Sequence, residues 1–137
     1  MTMVPYFYRC YPTRIKDADS VKLYVDRGED IYTDFEYRLK GVDAPETYRP
    51  KSDLERQYGQ RATQWLIDQI AHIDDFGQLF VQTFNKKDSF GRTLGILWLD
   101  NPAWHGSRIN LNDSMITEKI AWKWGEDKDL TQLKPLD

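Results

Sequence analysis

Apolar and polar residues alternate along "DSVKLYVD", where Val21, Leu23 and Val25 are set against Lys22, Tyr24 and Asp26. A period of two marks a strand with one buried face. The turn "DRGED", centred on Gly28, follows, and residues 31–41 alternate again, so the two runs predict a hairpin. An aromatic-rich lead-in from Tyr6 to Lys16, interrupted by Pro12, predicts another strand. A long loop, residues 43–53, comes next, and beyond it the period changes. Ser52 and Glu55 match a capping box, and Tyr58, Ala62, Trp65, Leu66 and Ile70 recur at helical spacing over residues 54–72. Gly59 weakens that helix by about 1 kcal/mol relative to Ala. "QLFVQTF" and "TLGILWL" predict strands joined by "NKKDSFGR". Residues 111–121, with Leu111, Met115, Ile116 and Ile120, predict a shorter helix. The last dozen residues are polar without a period and are expected to form a tail.

Three strands, a helix, two strands and a helix make an α+β domain. Short, bent strands with a helix between the third and fourth suit a five-stranded Greek-key barrel of the OB type carrying two helices. No repeat or linker divides the chain, so residues 1–125 are expected as one domain and 126–137 as an acidic C-terminal tail.

Composition narrows little. At 137 residues the chain is one domain's worth, and 40% apolar with 30% charged residues is ordinary for a globular protein. No apolar run approaches the roughly 18–20 residues of a membrane span, and the N-terminus lacks the pattern of a secretory signal. The single cysteine, Cys10, excludes an internal disulfide and fits a reducing compartment, so the cytoplasm is the expected location. The 19 basic and 22 acidic residues leave a net charge of −3. Of this, −2 comes from residues 126–137, where four acids face Lys128 and Lys134. The remainder is close to neutral, so charge by itself selects no partner.

Three segments concentrate charge at strand ends: "IKDADSVKL", "YRLKGVDAPET" and "KKDSFGRTLG". They offer Asp17 and Asp19, then Arg38 with Asp43 and Glu46, then Asp88 with Arg92. Carboxylates from separate strands can hold a hard divalent cation through oxygen. Arginines bind phosphate as planar, permanently charged forks. A further carboxylate kept off the metal can deprotonate water. Together these are the parts of a phosphodiester-cleaving site, although single aspartates at strand ends are more often simple turn residues.

In that order and spacing, "IKDADSVKL", "YRLKGVDAPET" with "YGQRAT" shortly after, and "DSFGRTLG" resemble the staphylococcal nuclease (thermonuclease-like) family. The resemblance runs from about Thr13 to Ala121. It implies that Asp19 and Asp43 coordinate calcium, joined by the backbone carbonyl of Ala44. It implies that Arg38 and Arg92 contact the scissile phosphate while Glu46 positions or activates the water. Lys86, Lys87, Asp88 and Phe90 are expected on the substrate side, with a solvated turn as the alternative for the two lysines. The implied reaction is calcium-dependent hydrolysis of DNA and RNA that leaves 3′-phosphate ends. A catalytically silent barrel that binds nucleic acid or protein is the alternative, as is a nuclease controlled by a partner.

The sequence departs from the family in places. Ala44 replaces a threonine, Ala18 a glycine, and Ser89 and Phe90 stand where a lysine and a tyrosine usually flank a terminal phosphate. The family's last helix has no counterpart in the pattern. Trp122 and Trp124, spaced i, i+2, are expected to cover the barrel instead, in a monomer or across a homodimer, with base stacking as their second use. His72 and His105 read as surface residues and Cys10 as a core residue rather than a nucleophile.

Overall fold

The computed structural model describes residues 5–71, 73, 78–100 and 107–137. Among these residues, eight strands and two α-helices follow one another: β1 (Tyr6–Asp17), β2 (Ser20–Asp26), β3 (Tyr32–Leu39), β4 (Val42–Asp43), α1 (Asp53–Ile70), β5 (Leu79–Lys87), β6 (Thr93–Asp100), β7 (Arg108–Asn110), α2 (Leu111–Thr117) and β8 (Trp122–Lys123). The main sheet runs β3-β2-β1-β5-β6-β7, and a parallel pairing of β3 with β6 closes five of these strands into a barrel. This is the expected OB-type α+β architecture.

β1 serves both halves of the barrel. Its first residues, Tyr6 to Cys10, pair with β5, and from Cys10 onward it pairs with β2. The register slips between Pro12 and Arg14, where proline's missing N–H breaks an even ladder and the strand bends. Closure needs room at Gly95, where a Cβ would stand 2.9 Å from Val81 Cγ2. Asn112, at the start of α2 and 2% exposed, bridges the closing seam. Its amide donates to Lys40 O at 2.9 Å and Gly95 O at 3.1 Å, and its oxygen accepts from Leu97 N.

Inside, Val21, Leu23 and Val25 of β2 meet Tyr37 and Leu39 of β3 and Val81 and Leu97 of β5 and β6. The helix α1 lays Ala62, Leu66 and Ile70 on this core. Ser52 caps it by accepting from Glu55 N at 3.1 Å, while Glu55 reaches back to Lys51 N rather than to Ser52. The second helix stops at Thr117, earlier than its apolar spacing suggests. Lys119 takes a left-handed φ of 58°, and Ile120 N turns back to Met115 O at 2.8 Å, a terminating geometry that precedes the last apolar residues. No helix among the described residues is long and apolar enough to cross a membrane.

No third α-helix follows among the described residues, yet the C-terminal segment is held against the domain. Trp122 Nε1 donates to Asp129 O at 3.0 Å, and the Asp129 carboxylate caps a short 3-10 turn at residues 130–132. Leu133 is buried, Lys134 N donates to Lys119 O, and Arg61 of α1 donates to Lys134 O at 2.6 Å and Pro135 O at 3.3 Å. A polar segment thus docks through backbone carbonyls and one leucine, signals that carry no periodicity.

Candidate active site

The two arginines meet because of strand register. β2 begins at Ser20 and pairs it directly with Arg38 on β3, and the parallel β3–β6 pairing sets Arg38 beside Leu94, just beyond Arg92. Arg92 Nε and Nη2 lie 2.8 and 2.7 Å from Asp88 Oδ2, and Nη1 donates to Ser20 Oγ at 2.8 Å. Two nitrogens on one carboxylate oxygen fix that edge of the guanidinium, and among the described residues donors remain unspent on Nη1 and Nη2. Arg38 Nη1 donates to Val42 O at 2.7 Å, Leu39 O at 3.0 Å and Asp19 O at 3.4 Å. Its Nη2 lies 3.5 Å from Asp19 Oδ2 and 3.6 Å from Asp43 Oδ1. The bend at Gly41, with φ of 79°, turns the chain so that Val42 O faces back toward this arginine.

The β1–β2 turn holds the loop that follows β4. Asp19, buried, accepts from Ala44 N at 2.8 Å through Oδ2. Asp17 Oδ1 accepts from Thr47 Oγ1 at 2.6 Å and from Thr47 N at 3.3 Å. Helix α1 presses from the other side: a Cβ on Gly59 would stand 2.8 Å from Pro45 O and 2.9 Å from Glu46 O. Gly59 therefore does more than weaken a helix; it admits the loop backbone. Glu46 emerges from this clamp exposed, with no hydrogen bond or ion pair among the described residues.

Burial pushes the Asp19 carboxyl above its ordinary value, and nearby Asp17 and Asp43 add to this, against the lowering by Arg38 and the Ala44 N–H. Burial also raises Asp88, but the Arg92 N–H, the Arg92 guanidinium and the Phe90 N–H outweigh it and hold that carboxyl below the usual range. Asp88 is thus spent on the turn and on Arg92. It lines the cleft, and its oxygens are already engaged. Burial pushes the Cys10 thiol far up, so it is an inert core residue.

Among the described residues, no three His, Cys, Asp or Glu side chains cluster as a metal site. The two carboxylates that could donate to a metal are those of Asp19 and Asp43, both within reach of one guanidinium nitrogen. Hard carboxylate oxygens of this kind fit calcium, provided a carbonyl and water complete the shell. Burial, more than its anionic neighbours, raises the Asp19 carboxyl, and a divalent ion bound there would offset that cost of ionising a buried carboxylate.

A cleft of about 640 Å³ opens over Arg38, Asp43, Asp88 and Arg92. Lys87, Phe90, Trp124 and Lys128 also line it. Phe90 is 84% exposed, with Arg92 Cζ 5.7 Å from its ring centroid, and Trp124 is 67% exposed. Lys86 is exposed but lies outside the lining, since neighbouring strand residues point to opposite faces. The tryptophan pair also divides, contrary to the expectation that both rings cover the barrel. Trp122 is 6% exposed under the C-terminal segment, whereas Trp124 faces the cleft. The reason is local: β8 ends at Lys123, and the chain folds back over Trp122 alone. His72 and His105 lie outside the described residues.

Sequence reasoning gives no role to Ser20, treats Gly59 only as a weak helix position and counts Lys128 only in the charge of the C-terminal segment. Ser20 has a signal only in hindsight of register, as the residue after Asp19 in the turn. A closed OB-type barrel with arginines and carboxylates gathered at one end of β3 defines the class of protein. The model of the family described as staphylococcal nuclease homologue matches residues 36–135, and the chain belongs to that family. The match begins within β3, so the placement of Asp17, Asp19 and Ser20 rests on the fold. No curated protein matches the chain.

Proposed function

We propose that the protein is a calcium-dependent nuclease that hydrolyses DNA and RNA and leaves 3′-phosphate ends. One observation supports this above the others: Arg38 and Arg92 line one cleft with Asp43, and Arg92 keeps donors that its contacts among the described residues do not use. Asp19, Asp43 and the Ala44 carbonyl would hold the calcium ion. When bound, it supplies positive charge that polarises the phosphate and favours hydroxide over water. Arg38 and Arg92 donate to the non-bridging oxygens and stabilise the five-coordinate state as its charge grows. Glu46, exposed and unpaired among the described residues, accepts a proton from the attacking water. The water oxygen bonds to phosphorus, the bond to the 5′ oxygen breaks with its electron pair leaving on that oxygen, and the oxygen takes a proton from solvent water to depart as a hydroxyl. Phe90 and Trp124 offer exposed rings on which bases stack, which suits single strands.

A second reading, a barrel that binds nucleic acid without cutting it, draws on Glu46 lying outside the cleft lining. One assay separates the two. Labelled single-stranded DNA and RNA are incubated with the protein in calcium or in chelator, and the product ends are analysed. Calcium-dependent fragments with 3′-phosphates support the nuclease; retarded but intact strands in both conditions support the binding module.

A further inference from the structure

Asp43 already has a cation on each oxygen. Oδ1 faces Arg38 Nη2 at 3.6 Å, and Oδ2 lies 3.1 Å from Lys128 Nζ. Arg38 is pinned by backbone carbonyls and cannot leave. Lys128 is different, because its side chain is 54% exposed. Its backbone, however, is anchored. The next residue, Asp129, receives Trp122 Nε1 and caps the 3-10 turn, and beyond it Leu133 is buried and Arg61 grips the carbonyls of Lys134 and Pro135. A flexible stem on a fixed base delivers a compact ammonium to the same carboxylate oxygen that a divalent cation would need.

We propose that Lys128 is a tethered competitor for the divalent cation at Asp43. With no cation bound, its ammonium neutralises Oδ2 and keeps Asp43 facing Arg38. When the cation arrives, Lys128 swings away into the cleft that it also lines, where a phosphate can receive it. The C-terminal segment thereby sets the cation concentration at which the site loads. An ion pair with one solvated partner is weak, so its loss should be read as a few-fold change in affinity. This inference rests on the reading of Asp43 as a cation ligand.

The test is calcium titration of the full chain by calorimetry, without nucleic acid, with thermal melts to confirm folding. Lys128→Met should tighten the calcium Kd about two- to fivefold. Lys128→Gln should do the same and serves where methionine disturbs the fold. Lys134→Met removes the same charge from the same segment outside the cleft lining and should leave the Kd unchanged. An unchanged or weakened Kd in Lys128→Met overturns the proposal, as does equal tightening in Lys134→Met, which would mean general electrostatics. Asp43→Asn separates the two levels of failure. If it loses calcium while Lys128→Met matches the wild type, only the competitor role fails. If it binds as the wild type does, or if neither binds, the ligand reading of Asp43 fails with it.

Discussion

Ser20 Oγ lies 2.8 Å from Arg92 Nη1, and the same serine is the direct cross-strand partner of Arg38. Its hydroxyl is also 3.4 Å from Asp19 Oδ1, so one small side chain links an arginine to a carboxylate. Ser20→Ala should leave the barrel folded but free the Arg92 guanidinium on one side. The expected cost is about tenfold in kcat, or roughly 1.4 kcal/mol of transition-state stabilisation. Ser20→Thr, which keeps the hydroxyl, should restore most of it. Equal kcat in all three proteins would remove Ser20 from the positioning of Arg92.

Glu46→Gln keeps the shape of the side chain and removes its basicity, while Arg92→Ala removes a donor to the phosphate. Each should lower kcat by at least about a hundredfold with Tm little changed. Near-wild-type turnover in either folded variant would reassign the role. Magnesium, which demands a tighter octahedron, should support little turnover where calcium supports full activity.

Asp19 is expected to cost the fold stability for the sake of the site. Its carboxyl is raised, chiefly by burial, so the folded state favours the protonated form more than the unfolded state does. Its contribution is therefore most favourable at low pH and is lost as pH rises through the raised value. Asp19→Asn should then have a higher Tm than the wild type at pH 7 in chelator. The gain should shrink as pH falls through the carboxylate range, and activity should be lost. A lower Tm at pH 7 would mean that the ion pair with Arg38 outweighs desolvation.

Gly59→Ala sets helix propensity against packing. Alanine gains about 1 kcal/mol of helix propensity. Its Cβ, however, would meet Pro45 O at 2.8 Å, Glu46 O at 2.9 Å and Thr47 Cγ2 at 2.9 Å. Overpacking of this kind costs roughly 1–3 kcal/mol, so denaturant midpoints should fall, and kcat with them, because the displaced backbone carries Glu46. A midpoint at or above the wild type would show that the loop gives way freely.

The tryptophans should separate in the same melts. Trp122→Asp places a charge under the C-terminal segment and should lower Tm by several degrees, as expected for about 1 kcal/mol or more in a domain of this size. Trp124→Asp should leave Tm unchanged and raise KM for single strands by roughly the 1–3 kcal/mol of a lost stacking contact. A KM unmoved by Trp124→Asp would leave Phe90 as the stacking surface.

Local signals determined much of this protein. The alternation of Val21, Leu23 and Val25 and the periodicity of Ala62, Leu66 and Ile70 describe a hairpin and a helix because each depends on neighbours along the chain. The charged residues of "YRLKGVDAPET" and "DSFGRTLG" carry, in type and order, the resemblance to the family to which the chain belongs. What only the tertiary structure decided are the meetings between distant segments. The β3–β6 closure brings Arg92 to Arg38, the pairing of Ser20 with Arg38 makes a serine the link between them, and the folded-back C-terminus buries Trp122 while placing Lys128 on Asp43. These contacts depend on register, on backbone carbonyls such as those of Lys134 and Pro45, and on the space a missing Cβ leaves at Gly59. None of these has a period, so each becomes legible only once the chain has closed on itself.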